Sequence, residues 1–105
     1  MLVQFNSDRR IEGDAATAGA VEEQIRDRLS RFAPRLTRVE VHVNDVDGDR
    51  NGPRGVRARI EARPASGRPV TVDDHGTDAD SAISGATRKL VGLLDSAFGK
   101  ADAVR

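Results

Sequence analysis

Apolar and polar residues alternate in three consecutive runs between residues 39 and 72 of the chain. In each run the apolar positions recur at every second residue, and clusters of Gly, Pro and Asn separate the first two runs. A period of two with turn residues between the runs predicts three consecutive β-strands, each with one apolar and one polar face. The predicted strands span about Arg38–Val46, Val56–Arg63 and Pro69–Asp73.

A short apolar run and a helical pattern precede these strands. The segment Leu2–Phe5 predicts a first strand. Apolar residues then recur every three or four positions from Ala15 to about Ala33, which predicts an amphipathic helix with Asp14 as its N-cap. Pro34 ends or kinks this helix, because proline has no N–H to donate and disfavours a helical residue before it. The predicted buried stripe of the helix is Val21, Ile25, Leu29 and Phe32.

A second helical pattern follows the last strand. Thr77 is the predicted N-cap, and Asp78 in the first turn suits the positive end of a helix. Gly85 and Gly92 lie inside the pattern and each destabilise a helix by up to about 1 kcal/mol relative to Ala, so this helix needs tertiary support. Residues 99–105 are expected to fray. The predicted buried positions are Ala79, Ala82, Ile83, Ala86, Leu90, Leu93, Leu94 and Ala97.

The order β-α-β-β-β-α predicts an α+β fold with a four-stranded mixed sheet. A short strand–helix–strand connection is most economical as a right-handed parallel unit, and the later strands are joined by hairpins and should be antiparallel. Both helices must then pack on one face of the sheet and leave the other face exposed to solvent. The length of 105 residues predicts a single domain, with about residues 1–98 ordered and 99–105 as a tail.

Composition narrows the class of protein. The chain is 37% hydrophobic with three Phe and no Trp or Tyr, so the core must be aliphatic and thin. Because 17 basic residues balance 17 acidic ones, RNA binding would have to depend on a local patch. The absence of Cys excludes a disulfide framework and thiolate metal sites. No apolar run approaches the roughly 20 residues that span a bilayer, so we expect a cytoplasmic protein that does not enter the membrane.

Basic residues lie beside the apolar stripes of both predicted helices. On the first helix Arg28, Arg31 and Arg35 follow one another at spacings of three and four, and Arg88 and Lys89 lie on the last helix. One interpretation is a phosphate-binding groove between and beside the helices. The alternative is a solvated helix surface with charge pairs between residues four apart, which is the commoner use of such a pattern.

Arginines also alternate along the third predicted strand. Arg57, Arg59 and Arg63 project from the open sheet face, where they could meet nucleic acid. RNA-binding sheets normally offer aromatic side chains for base stacking, and this sheet has none on that face. We therefore favour cross-strand pairing with Glu40 and Glu61.

The sequence contains no complete motif for catalysis or metal binding. Acidic residues alternate in the loop at 45–51 as in a calcium-binding loop, but Arg50 stands where that loop needs Gly and Val56 where it needs Glu. The two aspartates and the histidine at 73–75 are more typical of a turn than of a metal site. With no recognisable nucleophile or phosphate-binding loop, we predict no enzyme activity, no catalytic residue, no metal, no cofactor and no small-molecule substrate.

Several motifs in order resemble those of the HPF/RaiA ribosome-hibernation family, also called the S30AE or sigma-54-modulation family. These are the segments VEVHVNDVDGDRNGPRG, GRPVTV and TDADSAISGATRKL. Members of the family share a V-x-V strand, a loop of the type DvNGprGG and a closing helix of the form D-x-x-x-AI-x-x-x-x-x-KL. The matching positions are Val39 and Val41, the loop Asn51–Gly55, and Asp78, Ala82, Ile83, Lys89 and Leu90.

The resemblance implies a dsRBD-like fold that binds 16S rRNA of the small ribosomal subunit in the channel used by tRNA and mRNA. Translation would be blocked sterically, as a stress response, and the chain would be similar to the short type, a monomer or weak dimer. The last helix carries Asp95 where relatives are more basic, which should weaken rRNA binding. A diverged homologue that acts as a protein-interaction or regulatory module is the alternative. The implied RNA-binding residues are Arg28, Arg31 and Lys89, with Arg35, Arg54 and Arg88 as neighbours.

Overall fold

The computed structural model describes residues 1–7, 15–46 and 55–103, with side chains described from residue 18 in the first helix and up to residue 99 in the last. Arg54, the predicted cap Asp14 and the acidic residues at 47–51 therefore lie outside the described residues. The element order confirms the predicted β-α-β-β-β-α pattern and adds a 3₁₀ helix before the second strand. The elements are β1 (Leu2–Ser7), α1 (Ala15–Arg28), the 3₁₀ helix (Ser30–Arg35), β2 (Leu36–Val46), β3 (Gly55–Pro64), β4 (Val70–Gly76) and α2 (Ala79–Ala103).

The four strands form one mixed sheet in the order β1-β2-β3-β4. β1 is parallel to β2, and β3 is antiparallel to both of its neighbours, as predicted. The register places Val41 opposite Ile60 and Ile60 opposite Val72, so apolar residues of adjacent strands face the same side. This alignment gives the sheet one apolar and one polar face.

The core lies between the apolar face of the sheet and the helices. All four residues of the predicted α1 stripe are buried, although Leu29 follows the last residue of α1 and Phe32 lies in the 3₁₀ helix. Each fully buried aliphatic side chain contributes roughly 1.5–3 kcal/mol of transfer free energy, which a chain with few aromatics needs. The largest fully buried hydrophobic side chains are Ile25, Leu29, Val39, Val41, Val43, Ile60, Ile83, Leu90 and Leu94.

The α1 helix is shorter than predicted. It ends at Arg28 rather than Ala33, and the segment Ser30–Arg35 continues as a 3₁₀ helix that contains Pro34. Proline disfavours the α conformation of the residue before it, so the chain tightens to 3₁₀ turns ahead of Pro34. Phe32 still reaches the core from this segment. The change of geometry moves the arginines that follow Arg28 off the regular α1 flank.

The N-cap of α2 is Asp78 rather than the predicted Thr77. The Asp78 carboxylate accepts a hydrogen bond of 2.8 Å from the backbone N–H of Ser81. A carboxylate at the N-cap satisfies a free backbone donor and also interacts favourably with the helix dipole. At its other end the helix ends at Ala103.

Two of the predicted buried positions on α2 face solvent. Leu93 is 48% exposed, and Ala97 is exposed as well. The residue missing from the prediction is Thr87, which is fully buried and donates its hydroxyl to the Ile83 carbonyl oxygen at 2.7 Å. A threonine is accommodated in the core here because its hydroxyl bonds to the preceding helical turn.

Candidate nucleic-acid interface

The structure describes five of the six predicted RNA-binding residues, and all five are exposed. Arg28 is the last residue of α1, and Arg31 and Arg35 lie in the 3₁₀ helix that follows it. Arg88 and Lys89 lie near the middle of α2.

Arg31 joins the 3₁₀ helix to α2 through an ion pair. Its guanidinium lies 2.7 Å from the carboxylate of Asp95, with the two side chains 59% and 48% exposed. The same guanidinium lies 4.5 Å from the centroid of the Phe32 ring. Asp95 therefore neutralises one of the cations that the sequence placed on this surface.

Arg35 lies at the end of the molecule beside the last turns of α2. Its guanidinium stacks 4.1 Å from the centroid of the Phe98 ring. Phe98 in turn packs against Phe32, with ring centroids 5.8 Å apart. A cation over an aromatic face gains an electrostatic attraction, so this contact fixes the direction of the guanidinium. The sequence missed Phe98, although its spacing of four from the buried Leu94 was a usable signal.

Lys89 points to the edge strand β4. Its ammonium donates to the backbone carbonyl of Asp73 at 3.0 Å and to the carboxylate of Asp74 at 3.4 Å. The pKa of the Asp74 carboxyl lies below its ordinary value, because it accepts a hydrogen bond from the backbone N–H of His75 and another from Lys89. A hydrogen bond from Arg57 likewise lowers the pKa of Asp73. This lysine is thus held at the β4 edge by one backbone carbonyl and one carboxylate.

Glycines bring α2 close enough to β4 for these contacts. A Cβ atom on Gly85 would overlap the carboxylate of Asp74, and a Cβ on Gly76 would lie 2.7 Å from the backbone nitrogen of Ala82. The absence of these two side chains therefore sets the distance between the end of β4 and the first half of α2, and with it the position of Lys89.

Arg28 and Arg88 are the more available cations. Within the described part of the chain, no ion pair or hydrogen bond engages either side chain. Arg88 precedes Asp95 by seven residues, so it lies on the same face of α2 about two turns, or roughly 10 Å, away. The face of α2 toward the 3₁₀ helix therefore carries Arg88 and the Arg31–Asp95 pair.

The structure divides the predicted basic set among three places. Arg88 lies on the face of α2 toward the 3₁₀ helix, Arg31 reaches that face from the 3₁₀ helix through Asp95, and Arg28 lies about one turn before Arg31. Lys89 lies at the β4 edge, and Arg35 lies against Phe98. The positive surface is consequently discontinuous, with carboxylates between its parts.

The open sheet face is occupied by ion pairs. Arg57 binds Asp73 at 2.8 Å, and Arg63 binds Glu61 at 3.0 Å. Glu40 and Glu61 are direct cross-strand neighbours, and each has an arginine partner on its own strand. Glu61 is paired with one of the predicted arginines, but along its own strand and not across strands as expected; the cross-strand pair is Arg57 with Asp73. Glu40 is bound at 3.1 Å by Arg38 of its own strand, and Arg38 was not among the arginines predicted to pair with it.

The two aspartates of β4, Asp73 and Asp74, take part in ion pairs with neighbouring elements. Among the residues that the structure describes, no group of three or more His, Cys, Asp and Glu side chains is arranged to hold a metal ion. The carboxylates of Asp73 and Asp74 are hydrogen-bonded to Arg57 and Lys89 respectively.

Of the helices in the described ranges, none combines the length and the hydropathy that a membrane span requires.

Comparison with known proteins supplies an independent line of evidence. The N-terminal domain of Protein Y from Thermus thermophilus superposes with a TM-score of 0.70 at 23% identity, covering 91% of this chain and 98% of that one. A ribosomal subunit interface protein from Coxiella burnetii superposes with a TM-score of 0.67 at 11% identity, covering 94% and 99% of the two chains. Both likenesses confirm the fold. No curated protein sequence matches the chain.

The family assignment comes from the sequence itself. The model of the family described as sigma 54 modulation protein / S30EA ribosomal protein matches residues 6–100. The match includes the last two residues of β1, all of α1, the 3₁₀ helix, β2, β3 and β4, and α2 up to residue 100, and it agrees with the predicted order of motifs. The chain belongs to the family of sigma 54 modulation proteins and S30EA ribosomal proteins.

Proposed function

We propose that the protein binds the small ribosomal subunit through 16S rRNA and represses translation by obstructing the tRNA and mRNA channel. The observation that carries this proposal is the family match over residues 6–100. The C. burnetii protein of similar fold is a ribosomal subunit interface protein, and we propose the same kind of partner here. Such a role places the protein in the cytoplasm.

The proposed contact surface is the face of α2 toward the 3₁₀ helix, together with the end of α1. Arg28 and Arg88 would meet rRNA phosphates first, because no described carboxylate engages them. Arg31 would follow by exchanging Asp95 for a phosphate. An exposed ion pair of this kind is worth at most about 1 kcal/mol, so a phosphate with a bidentate contact can replace the carboxylate.

The remaining cations would extend this surface. Lys89 and Arg35 lie on either side of it, held by Asp74 and by the Phe98 ring respectively. Arg54, which lies outside the described residues between β2 and β3 in the sequence, would add a further contact. The mechanism needs no bond-making step, because occupancy of the channel alone excludes its normal ligands.

Cosedimentation tests this function directly. The full chain, tagged and expressed in stationary-phase cells, is expected to travel with 30S and 70S particles at low and at physiological salt. Purified protein should also reduce translation in a cell-free system in proportion to the ribosomes occupied. Absence from both ribosomal fractions at physiological salt would end this proposal.

A protein-interaction or regulatory module is the second candidate. It is favoured by the neutral net charge and by the ion-paired sheet face, which has alternating charges suited to a polar protein surface. Salt distinguishes the two functions, because phosphate contacts release counterions and weaken steeply as salt rises. Binding to a protein partner that is insensitive to salt, without ribosome binding, would favour this alternative.

A further inference from the structure

An apolar groove of about 460 Å³ lies at the end of the molecule away from the Lys89 contact. It is bounded by the C-terminal part of α2, the end of the 3₁₀ helix and the turn that joins β3 to β4. The backbone N–H of Ala65 in that turn donates to the carbonyl of Arg35 at 2.9 Å, which ties two walls of the groove together. Its apolar lining includes Pro34, Pro64, Val70, Leu94, Ala97 and Phe98.

The described charged residues that line this groove are both basic. Arg35 and Arg68 line it, and no described lining residue is a carboxylate, although the whole chain has as many acidic as basic residues. Arg68 is exposed and follows Gly67, whose φ of +107° is a conformation that glycine adopts readily. An apolar floor with a cationic rim complements a ligand that is apolar in part and negatively charged in part.

The aromatic residue of the groove is poorly placed for RNA. The guanidinium of Arg35 already covers one face of the Phe98 ring, and Phe32 packs against the ring with an interplanar angle of 47°. A nucleobase would have to displace these groups in order to stack on the ring. An aliphatic or aromatic side chain of a peptide needs only the apolar surface beside them.

We propose that this groove binds an extended acidic peptide segment of a partner protein. An apolar side chain of the segment would lie against Val70, Ala97 and Phe98, and a neighbouring carboxylate would bind Arg68. The groove shares Arg35 with the proposed ribosome-contacting surface, but its apolar lining and Arg68 lie outside that surface. For a groove of this size we expect a weak, transient interaction with Kd on the order of 10–100 µM.

The test measures binding of fluorescently labelled peptides with blocked termini to the full chain. The hexapeptide DELFDE should bind in fluorescence anisotropy, whereas KKLFKK and DEGSDE should bind at least about tenfold more weakly, since each lacks one of the two required features. Amide chemical shifts should change at Gly67, Arg68 and Phe98. Ala97→Phe, which fills the groove from an exposed position, and Arg68→Glu should each weaken DELFDE binding at least about fivefold.

The matched control is Arg59→Glu, which makes the same charge change on the open sheet face and should leave the Kd within about twofold. Absence of DELFDE binding at 1 mM, equal loss in Arg59→Glu, or displacement of the peptide by oligouridylate would overturn the proposal. Cosedimentation of Ala97→Phe with 30S particles separates the two functions. It is expected to match wild type, so failure of peptide binding leaves the ribosome proposal standing.

Discussion

The basic side chains of this molecule differ in whether a carboxylate neutralises them. Of the basic residues on the helices, Arg31 is neutralised by Asp95 and Lys89 faces Asp74, whereas Arg28 and Arg88 have no such partner in the described residues. Exposed ion pairs contribute little to stability. Their larger effect is on binding, because each carboxylate beside a cation offsets its attraction for a phosphate.

Removal of Asp95 should strengthen ribosome binding. Asp95→Ala frees Arg31 and raises the local positive charge, so we expect affinity for purified 30S subunits to rise about three- to tenfold at low salt. The free energy of unfolding should change by less than about 1 kcal/mol, since the pair is exposed. Glu23→Ala is the matched control, because it makes the same charge change on the outer surface of α1. Equal gains in both variants would show that only net charge matters.

Asp74 should make stability depend on pH in acid. Its pKa in the folded protein lies below the ordinary 3.8, so its ionised form stabilises the fold above that pH. This contribution is lost as pH falls through the lowered folded pKa. Asp74→Asn lacks it, so urea unfolding should show a gap between wild type and variant that is constant from pH 5 to 7 and narrows below about pH 4. A gap that persists unchanged to pH 2.5 would contradict this account.

At the scale of elements, α2 carries two glycines with different roles. A Cβ on Gly85 would overlap the Asp74 carboxylate, whereas a Cβ on Gly92 would meet no atom within 4 Å. Both glycines have the same unfavourable helix propensity. The sequence shows only this shared property, because the close approach of β4 to α2 is a tertiary feature.

The two glycines should therefore respond oppositely to alanine. Gly92→Ala is expected to stabilise the protein by up to about 1 kcal/mol, as measured by chemical denaturation. Gly85→Ala should destabilise it by about 1 kcal/mol or more, because the Asp74 side chain must leave its bonds to His75 and Lys89. Asp74→Ala should largely relieve that penalty when combined with Gly85→Ala. Stabilisation by Gly85→Ala alone would refute the close contact.

Much of the fold follows from local patterns. The period-two runs predicted β2, β3 and β4, because a sheet with one solvent-exposed face requires polar and apolar residues to alternate along each strand. The α1 helix was extended too far, since its stripe continues through Phe32 while Pro34 imposes 3₁₀ geometry. Leu93 was assigned to the core wrongly, because a stripe of apolar residues on α2 is wider than the surface that the sheet covers.

The site was harder to predict than the fold. Helical spacing identified which residues share a flank, but the carboxylates that approach from other elements depend on tertiary packing. Asp95 reaches Arg31 across 64 residues of sequence, and Asp74 reaches Lys89 across 15. A list of basic residues therefore overestimates the positive surface.

At the scale of the whole molecule, a neutral chain is proposed to bind a polyanion. Net charge governs attraction at long range, but within a Debye length of about 8 Å the local arrangement decides. Within the predicted RNA-binding set, two available arginines and one displaceable pair on the helix side give a modest local positive field. We therefore expect ribosome binding that is weaker and more sensitive to salt than that of a strongly basic protein.

The most direct measurement is equilibrium binding to purified 30S subunits over a range of salt, with charge reversal on either side of the molecule. Arg28→Glu/Arg88→Glu should reduce affinity at least tenfold and lower the slope of log K against log salt by about two, the number of phosphate contacts removed. Arg59→Glu/Arg63→Glu makes the same net charge change on the sheet face and should leave the slope unchanged. If the sheet-face variant loses as much affinity and slope as the helix-side variant, the proposed interface is contradicted.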